Sequence, residues 1–142
     1  MKVLFMCTAN SCRSQMAEAL ARRLFPSDWR VSSCGLVTYR ITSGTRQAMA
    51  EVGLDMEGQA PQSLDEYDLD SFDLIVTLSP EAGRYLPALN DPARHHACPI
   101  DDPMSAQGSE DEVRQAFRTG RDRIGQIVRD VVAGSLDSQP DS

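Results

Sequence analysis

A cysteine and an arginine that lie six positions apart near the start of the chain have the types and spacing to perform chemistry together. Cys7 ends a strongly apolar segment, and Arg13 stands directly before Ser14, where apolar residues begin to recur at helical spacing. The N–H groups of a loop that runs into a helix N-terminus bind anions, and such positive surroundings favour the thiolate form of a cysteine. The spacing therefore predicts a loop that holds a tetrahedral oxyanion above Cys7, with Arg13 donating to two of its oxygens.

The residues that follow Cys7 are expected to bind the oxyanion. This predicted set is Thr8, Ala9, Asn10, Ser11, Cys12 and Arg13. Asn10 tolerates a positive φ and can support the loop with its amide, and Ser14 can cap the next helix and bond to the thiolate. The alternative interpretation is a buried core cysteine beside a surface arginine. Cys34 and Arg40 share the spacing, but no helix start follows them, so Cys34 is predicted to be structural.

A carboxylic acid is also needed, because an attack that expels an oxygen leaving group requires a proton for that oxygen. Two Asp-Pro pairs are candidates. Asp91-Pro92 lies in a polar turn and is interpreted as no more than that. Asp101-Asp102-Pro103 instead opens a loop after an apolar segment, which places it at the sheet edge where the Cys7 loop is expected. The alternative for this pair is an Asx turn before a helix.

Hydrophobic periodicity and Gly/Pro punctuation predict the elements that position these residues. The predicted strands are Lys2–Met6, Trp29–Cys34, Phe72–Leu78 and His96–Ile100. The predicted helices run from Ser14 to Pro26, over Gly44–Val52, over the short Pro80–Tyr85 and over Ser109–Val132. Strands that alternate with helices predict an α/β three-layer sandwich around a four-stranded parallel sheet. In such sheets, ligands bind beyond the carboxyl ends of the strands.

Composition limits the function further. The 142 residues fit a single domain, predicted over residues 1–133, with a flexible tail over 134–142. A net charge of −7 repels a phosphate backbone, so nucleic-acid binding is not expected. No apolar run is long enough to span a bilayer, and the N-terminus becomes polar too early for an export signal. We therefore expect a cytoplasmic monomer in which the cysteines stay reduced.

The segment from Val3 to Glu18 resembles the low-molecular-weight protein tyrosine phosphatase superfamily, and most of all its arsenate reductases. The likeness continues through Ser33-Cys34-Gly35, 48–55, 73–78, Asp101-Asp102-Pro103 and 117–124, and it covers nearly the whole chain up to about Val132. By resemblance, Cys7 is the nucleophile, Arg13 the oxyanion clamp and Asp102 the general acid. Asn10 and Ser14 are then the residues that support the loop.

Individual residues favour arsenate over phosphotyrosine as the substrate. Tyrosine phosphatases of this superfamily usually carry proline at position 15 and two tyrosines after Asp-Pro, where this chain has Gln15 and Met104-Ser105. Losing two aromatic walls removes packing that a phenyl ring needs. Tyr39 could supply one wall, but it is expected instead to anchor its loop.

The reductant is expected to come from outside the chain. Thioredoxin-coupled relatives place resolving cysteines at the positions of Ser79 and Leu86. Without them, an arsenate reductase needs a low-molecular-weight thiol or a glutaredoxin-type partner as its reductant. No bound cofactor is expected. Otherwise one of Cys12, Cys34 and Cys98 must resolve the adduct. Cys12 can also form a protective disulfide with Cys7, as in phosphatase relatives.

Three alternative functions remain open at this point. The first is a protein tyrosine phosphatase that works through a cysteinyl-phosphate. The second is a catalytically inactive module that only binds oxyanions. The third is a metal site, for which the candidate ligands are His95, His96, Cys98, Asp101 and Asp102. The spacing of these ligands matches no closed zinc motif, so no metal is expected.

Overall fold

A computed structural model describes residues 1–136 as alternating strands and helices. The strands are β1 Lys2–Cys7, β2 Arg30–Gly35, β3 Leu74–Thr77 and β4 His95–Ala97. The helices are α1 Arg13–Leu24, α2 Ser43–Ala50, α3 Pro80–Tyr85 and α4 Glu110–Ala133. Short 3₁₀ turns cover Leu64–Glu66, Leu69–Ser71, Pro92–Arg94 and Pro103–Ser105.

The four strands form one parallel sheet in the order β2-β1-β3-β4. Because the chain moves to opposite sides of β1 to reach β2 and β3, the strand order reverses at the carboxyl end of β1. That reversal is where α/β sheets bind ligands. The loop after Cys7 therefore lies at the most favourable position of the sheet for a site.

Apolar residues on both faces of the sheet produce the three layers. Val3 and Phe5 of β1 pack with α1, α2 and α4 in one buried cluster. Leu4 and Met6 face the other way and pack with α3 and the 3₁₀ turns around Leu64 and Leu69. A strand covered on both faces needs an unbroken apolar sequence, which β1 has. The predicted fold class is confirmed.

Local sequence signals account for the ends of α4, the longest helix. Ser109 caps its start, and Glu112 bonds back to the Ser109 N–H in a capping box. Gly134 ends it in the left-handed conformation, with φ of 70°. Gly134 and Ser135 donate to carbonyls of the last turn, and Leu136 packs against the core. The first three residues of the predicted tail are therefore ordered, and residues 137–142 lie outside the described part.

All four observed strands differ in bounds from the predicted ones, by single residues for β1 and β2 and by more for β3 and β4. β4 covers His95–Ala97 instead of His96–Ile100, because regular pairing with β3 ends at Ala97. Cys98 and Ile100 still donate to Thr77 and Leu78, so the chain continues beside β3 without regular pairing. β3 begins at Leu74 rather than Phe72. None of the helices within residues 1–136 combines the length and the apolar character needed to cross a membrane.

Candidate active site

The loop between β1 and α1 is held in place by hydrogen bonds from the segment that follows β2. The carbonyls of Cys7, Thr8 and Ala9 accept hydrogen bonds from the N–H groups of residues 36, 37 and 39, at 3.3, 3.0 and 3.0 Å. In a trans peptide the N–H points opposite to the C=O. The N–H groups that follow these carbonyls therefore face away from the supporting segment, as an anion-binding loop requires.

Gly35 allows this close approach. A Cβ at position 35 would lie 2.5 Å from the Val37 carbonyl oxygen, 2.6 Å from Asn10 N and 2.8 Å from Ala9 C. All three are backbone atoms, which cannot move aside as the end of a flexible side chain can. Only glycine therefore fits beneath the loop.

Cys7 is buried beside Ser14, whose Oγ lies 2.8 Å from Cys7 Sγ. Asn10 Nδ2 donates to the same Ser14 oxygen at 2.7 Å. Since that amide nitrogen can only donate, Ser14 accepts there and its own hydrogen is available for Cys7 Sγ. Ser14 therefore bonds to the thiol as expected. It does not cap α1: the N-cap is Cys12, which makes no side-chain cap bond, and Ser14 lies inside the first turn.

Asn10 has the predicted positive φ, 51°, and both ends of its amide are bonded. Its Nδ2 also donates to Ser33 Oγ at 3.0 Å, and Ser33 in turn donates to the buried Glu18 carboxylate at 2.8 Å. Its Oδ1 accepts from Gln15 Nε2 at 2.9 Å and from the Gln62 N–H at 2.8 Å. These contacts connect a buried carboxylate to the thiol through a chain of neutral side chains.

Sequence reasoning missed the part that Gln15 and Gln59 take in this network. Gln15 is fully buried and donates to the Asn10 and Ala60 carbonyls at 3.1 and 3.2 Å, while its Oε1 accepts from Gln59 Nε2 at 2.7 Å. A polar residue on the buried face of a predicted helix is a usable signal, and Gln15 and Glu18 share such a face at i, i+3 spacing. Nothing in the sequence of residues 59–62 indicates that they contact Gln15 and Asn10.

Arg13 stands where the loop enters α1, and its guanidinium is buried. Only 6% of the residue is exposed, and its Nη1 donates to the Ile100 carbonyl at 3.0 Å. Its Nη2 lies 3.9 Å from an oxygen of Asp102. Its Nε is buried without a hydrogen-bond partner in residues 1–136. An orphaned buried donor is costly, so this N–H suits an oxygen of a bound anion.

Asp102 forms the expected Asx turn and also lies near Arg13. Its Oδ1 accepts from the Met104 N–H at 2.9 Å, which is the Asx turn, and its Oδ2 faces Arg13. The side chain is 40% exposed, so solvent can exchange protons with it. Asp101 is exposed as well.

The other three cysteines are buried and lie in different surroundings. Cys12 shares the loop with Cys7, and burial raises its pKa to about 12. Cys34 packs on the opposite sheet face from Cys7, and burial likewise raises its pKa to about 12. Cys98 follows β4, two strands from β1 and so about 10 Å away at the usual strand spacing. Burial raises the pKa of Cys98 too.

Ser79 and Leu86, which stand where the resemblance implies resolving cysteines, have structural tasks here. Ser79 is buried and caps α3 through Ala82 N at 3.1 Å, and its Oγ also accepts from Thr8 Oγ1 at 3.0 Å. Leu86 ends α3 and packs against the second core cluster.

Tyr39 and the candidate metal ligands are the remaining residues singled out in the sequence. The backbone N–H of Tyr39 donates to the Ala9 carbonyl at 3.0 Å, which attaches its segment to the loop, and its ring is 51% exposed. Within the described part of the chain, no three His, Cys, Asp or Glu side chains are grouped to hold a metal ion. His95 Nε2 instead bonds to Thr77 Oγ1 at 2.8 Å. The five candidate metal ligands therefore do not converge.

The parallel sheet and its cysteine-arginine loop define a phosphatase-type α/β domain. The chain belongs to the low molecular weight phosphotyrosine protein phosphatase family, whose model matches residues 2–139. An arsenate reductase of Bacillus subtilis (strain 168) is 36% identical over 128 residues, which are 90% of this chain and 92% of that protein. The family predicted from the sequence is confirmed.

Solved structures agree with this assignment. The structure of an arsenate reductase in the oxidized state has a TM-score of 0.78 at 28% identity, covering 95% of this chain and 98% of that one. A low molecular weight protein tyrosine phosphatase from T. tengcongensis also has a TM-score of 0.78, with 94% and 99% coverage. Its identity is 22%, so it supports the fold alone.

Proposed function

We propose that this protein is an arsenate reductase in which Cys7 attacks arsenate. The observation that carries the proposal is the buried Arg13, which ends the loop that begins at Cys7 and whose Nε–H has no hydrogen-bond partner within residues 1–136. Relatives named arsenate reductase, 32–36% identical over about nine-tenths of this chain, support the choice of substrate. Cytoplasmic residence follows from a reaction that needs reduced thiols.

The first step forms a bond between Cys7 Sγ and arsenic. The loop N–H groups and Arg13 hold three oxygens of arsenate, and Ser14 donates to the thiolate. As the S–As bond forms, one As–O bond breaks, and Asp102 gives its proton to the departing oxygen, which leaves as water. The position of Asp102 near Arg13 and its contact with solvent support this role.

The second step needs two electrons from thiols. An incoming thiolate attacks Cys7 Sγ, so that an S–S bond forms and the S–As bond breaks with its electron pair moving to arsenic. Arsenic(V) becomes arsenic(III) and leaves as arsenite, and a second thiol then frees Cys7. Cys12 and Cys34 stay protonated near neutral pH because burial raises the pKa of each to about 12. We therefore propose an external thiol or a glutaredoxin-type partner.

Hydrolysis of an aryl phosphate is the second candidate function. Two facts about Tyr39 support this candidate: its ring is half-exposed, and its backbone N–H donates to the loop carbonyl of Ala9. A phenyl ring could stack there. Met104 and Ser105 provide no second aromatic wall, which is why this candidate ranks below arsenate reduction.

A side-by-side assay tests the proposal. Purified protein would be given arsenate with glutathione, mycothiol, a glutaredoxin or thioredoxin, and separately an aryl phosphate. Cys7→Ser serves as the control for both reactions. We expect arsenite release that requires Cys7 and a low-molecular-weight thiol or glutaredoxin. Efficient aryl-phosphate hydrolysis with no arsenite from any donor would replace the proposal with the second candidate.

A further inference from the structure

The segment that carries Asp102 is attached to its surroundings at three points. Before it, the Ile100 carbonyl accepts from Arg13 Nη1 at 3.0 Å. Below it, Pro103 lies against Gly120 of α4, where an added Cβ would come within 2.9 Å of the proline ring. Beyond it, the Met104 sulfur accepts from the Ser11 hydroxyl at 3.4 Å. The third contact connects this segment directly to the oxyanion loop.

The contact between Met104 and Ser11 is a specific one. Ser11 is 3% exposed, and the thioether is the hydrogen-bond acceptor for its hydroxyl. Met104 is 38% exposed, so burial of its side chain does not explain why its sulfur points at the loop. The Met104 N–H meanwhile donates to Asp102 Oδ1 at 2.9 Å. One residue therefore holds the Asp102 carboxylate with its backbone and the oxyanion loop with its side chain.

We propose that Met104 is a positioning residue that fixes the Asp102 carboxylate over the oxyanion through its bond to Ser11. This inference rests on the proposed function, in which Asp102 donates the proton to the leaving oxygen. A proton donor misplaced by about 1 Å loses much of its effect on the rate. Met104 would then affect the chemical step while leaving the binding of the oxyanion unchanged.

Two substitutions separate the sulfur acceptor from the bulk of the side chain. Met104→Leu preserves volume and removes the acceptor, which leaves the Ser11 hydroxyl without its partner. Met104→Gln has a similar length and offers an amide oxygen to the same hydroxyl. Met56→Leu is the matched control, because it makes the same exchange at a buried methionine outside the Asp102 segment.

Backbone ¹⁵N relaxation of residues 101, 102, 104 and 105 is the first measurement, and it needs no enzymatic activity. In the wild type and in Met56→Leu these amides should have order parameters typical of a rigid backbone, about 0.85. Met104→Leu should lower them toward the flexible range, and Met104→Gln should restore them. Wild-type order parameters in Met104→Leu would overturn the proposal.

Arsenate kinetics provide the second measurement. We expect Met104→Leu to lower kcat about tenfold with KM nearly unchanged, and Met104→Gln to recover most of that loss. In an Asp102→Asn background, Met104→Leu should cause no further loss, because the two residues act through one carboxyl group. Losses that multiply in the double variant would contradict the inference. The two proposals can fail separately. If the wild type reduces no arsenate, the proposed function is contradicted. If the order parameters still fall in Met104→Leu, the positioning role of Met104 stands.

Discussion

At the scale of single residues, the direction of hydrogen bonds decides what the thiol can do. Asn10 Nδ2 donates to Ser14, so Ser14 presents its hydrogen to Cys7 Sγ. A thiolate accepts such a bond better than a neutral thiol does. The same amide donates to Ser33, whose hydrogen goes to the buried Glu18 carboxylate. One asparagine therefore aligns two hydroxyl groups, one toward the nucleophile and one toward a buried charge.

Cys7→Ser should abolish both arsenate reduction and aryl-phosphate hydrolysis with the fold intact, because a serine hydroxyl is a much weaker nucleophile than a thiolate. Arg13→Lys should also lose most activity, since an ammonium cannot replace the Nε–H together with the bond to Ile100. Steady-state assays and far-UV circular dichroism check both variants. Wild-type rates in Arg13→Lys would mean that Arg13 does not hold the substrate.

Asp102→Asn should slow the step that expels oxygen by about 10²- to 10⁴-fold, while sulfate binding changes little. The amide oxygen keeps the turn bond to the Met104 N–H, but the NH₂ group that replaces Oδ2 is not acidic and cannot protonate the leaving oxygen. Asp101→Asn is the matched control and should have a smaller effect. Single-turnover kinetics and sulfate titration measure the two quantities. A larger loss in Asp101→Asn would reverse the assignment within the pair.

The three remaining cysteines should differ in their effects. Cys34→Ser and Cys98→Ser should each retain most turnover with an external thiol, since Cys34 faces the other sheet layer and Cys98 lies two strands away. Cys12→Ser should be inactivated irreversibly faster by peroxide, because it removes the nearest partner that can trap oxidised Cys7 as a disulfide. Multiple turnover with thioredoxin alone, lost in Cys34→Ser or Cys98→Ser, would contradict the external-thiol step.

At the scale of elements, the oxyanion loop depends on β2 as much as on the strand that precedes it. Gly35→Ala should shift the loop and lower activity strongly, because its Cβ would meet backbone atoms at 2.5–2.8 Å. Gly83→Ala in α3 is the control: its Cβ would meet Thr77 Oγ1 at 3.4 Å, an ordinary contact. Arsenate kinetics and thermal unfolding should leave Gly83→Ala near wild type or slightly stabilised. If Gly35→Ala matched Gly83→Ala in activity and in thermal stability, the loop would have accommodated the added Cβ without loss.

The loop and its main supports could be predicted because their signals are local. An apolar strand, a helix start and the Cys7 to Arg13 spacing lie within a few residues of each other, and Asn10 is suited to a positive φ. The contacts of Gln59 and Gln62 could not be predicted, since the Gln59 side chain bonds to Gln15 across 44 positions and the Gln62 backbone N–H bonds to Asn10 across 52. The contact of Met104 with Ser11 spans 93 positions, so it could not be predicted from the sequence either.

At the scale of the whole molecule, charged side chains connect α2 and α4, two of the three helices that lie on one face of the sheet. Arg118 and Arg121 of α4 both bond to the Glu51 carboxylate at the end of α2, at 2.7 and 3.0 Å. Arg121 also donates to the Ala48 carbonyl at 2.9 Å. In a chain of net charge −7, these arginines hold together the helices that pack beneath the site. Stability should therefore respond to the protonation of Glu51.

Glu51→Gln should lower the free energy of unfolding at neutral pH and lose that effect in acid. The hydrogen bond from Arg118, with a further one from Arg121, lowers the pKa of Glu51 from 4.5 to about 2. A carboxyl whose pKa is lower in the folded state stabilises the fold above its unfolded pKa, and this contribution disappears as pH falls through its folded pKa. In urea titrations, the difference between wild type and Glu51→Gln should be constant above about pH 5 and shrink between 4.5 and about 2. Asp111→Asn is the control, because that carboxylate is 94% exposed beside Arg114 and should matter little at any pH. A difference that stays constant down to pH 3 would show that the Glu51 pair does not couple α2 to α4 through charge.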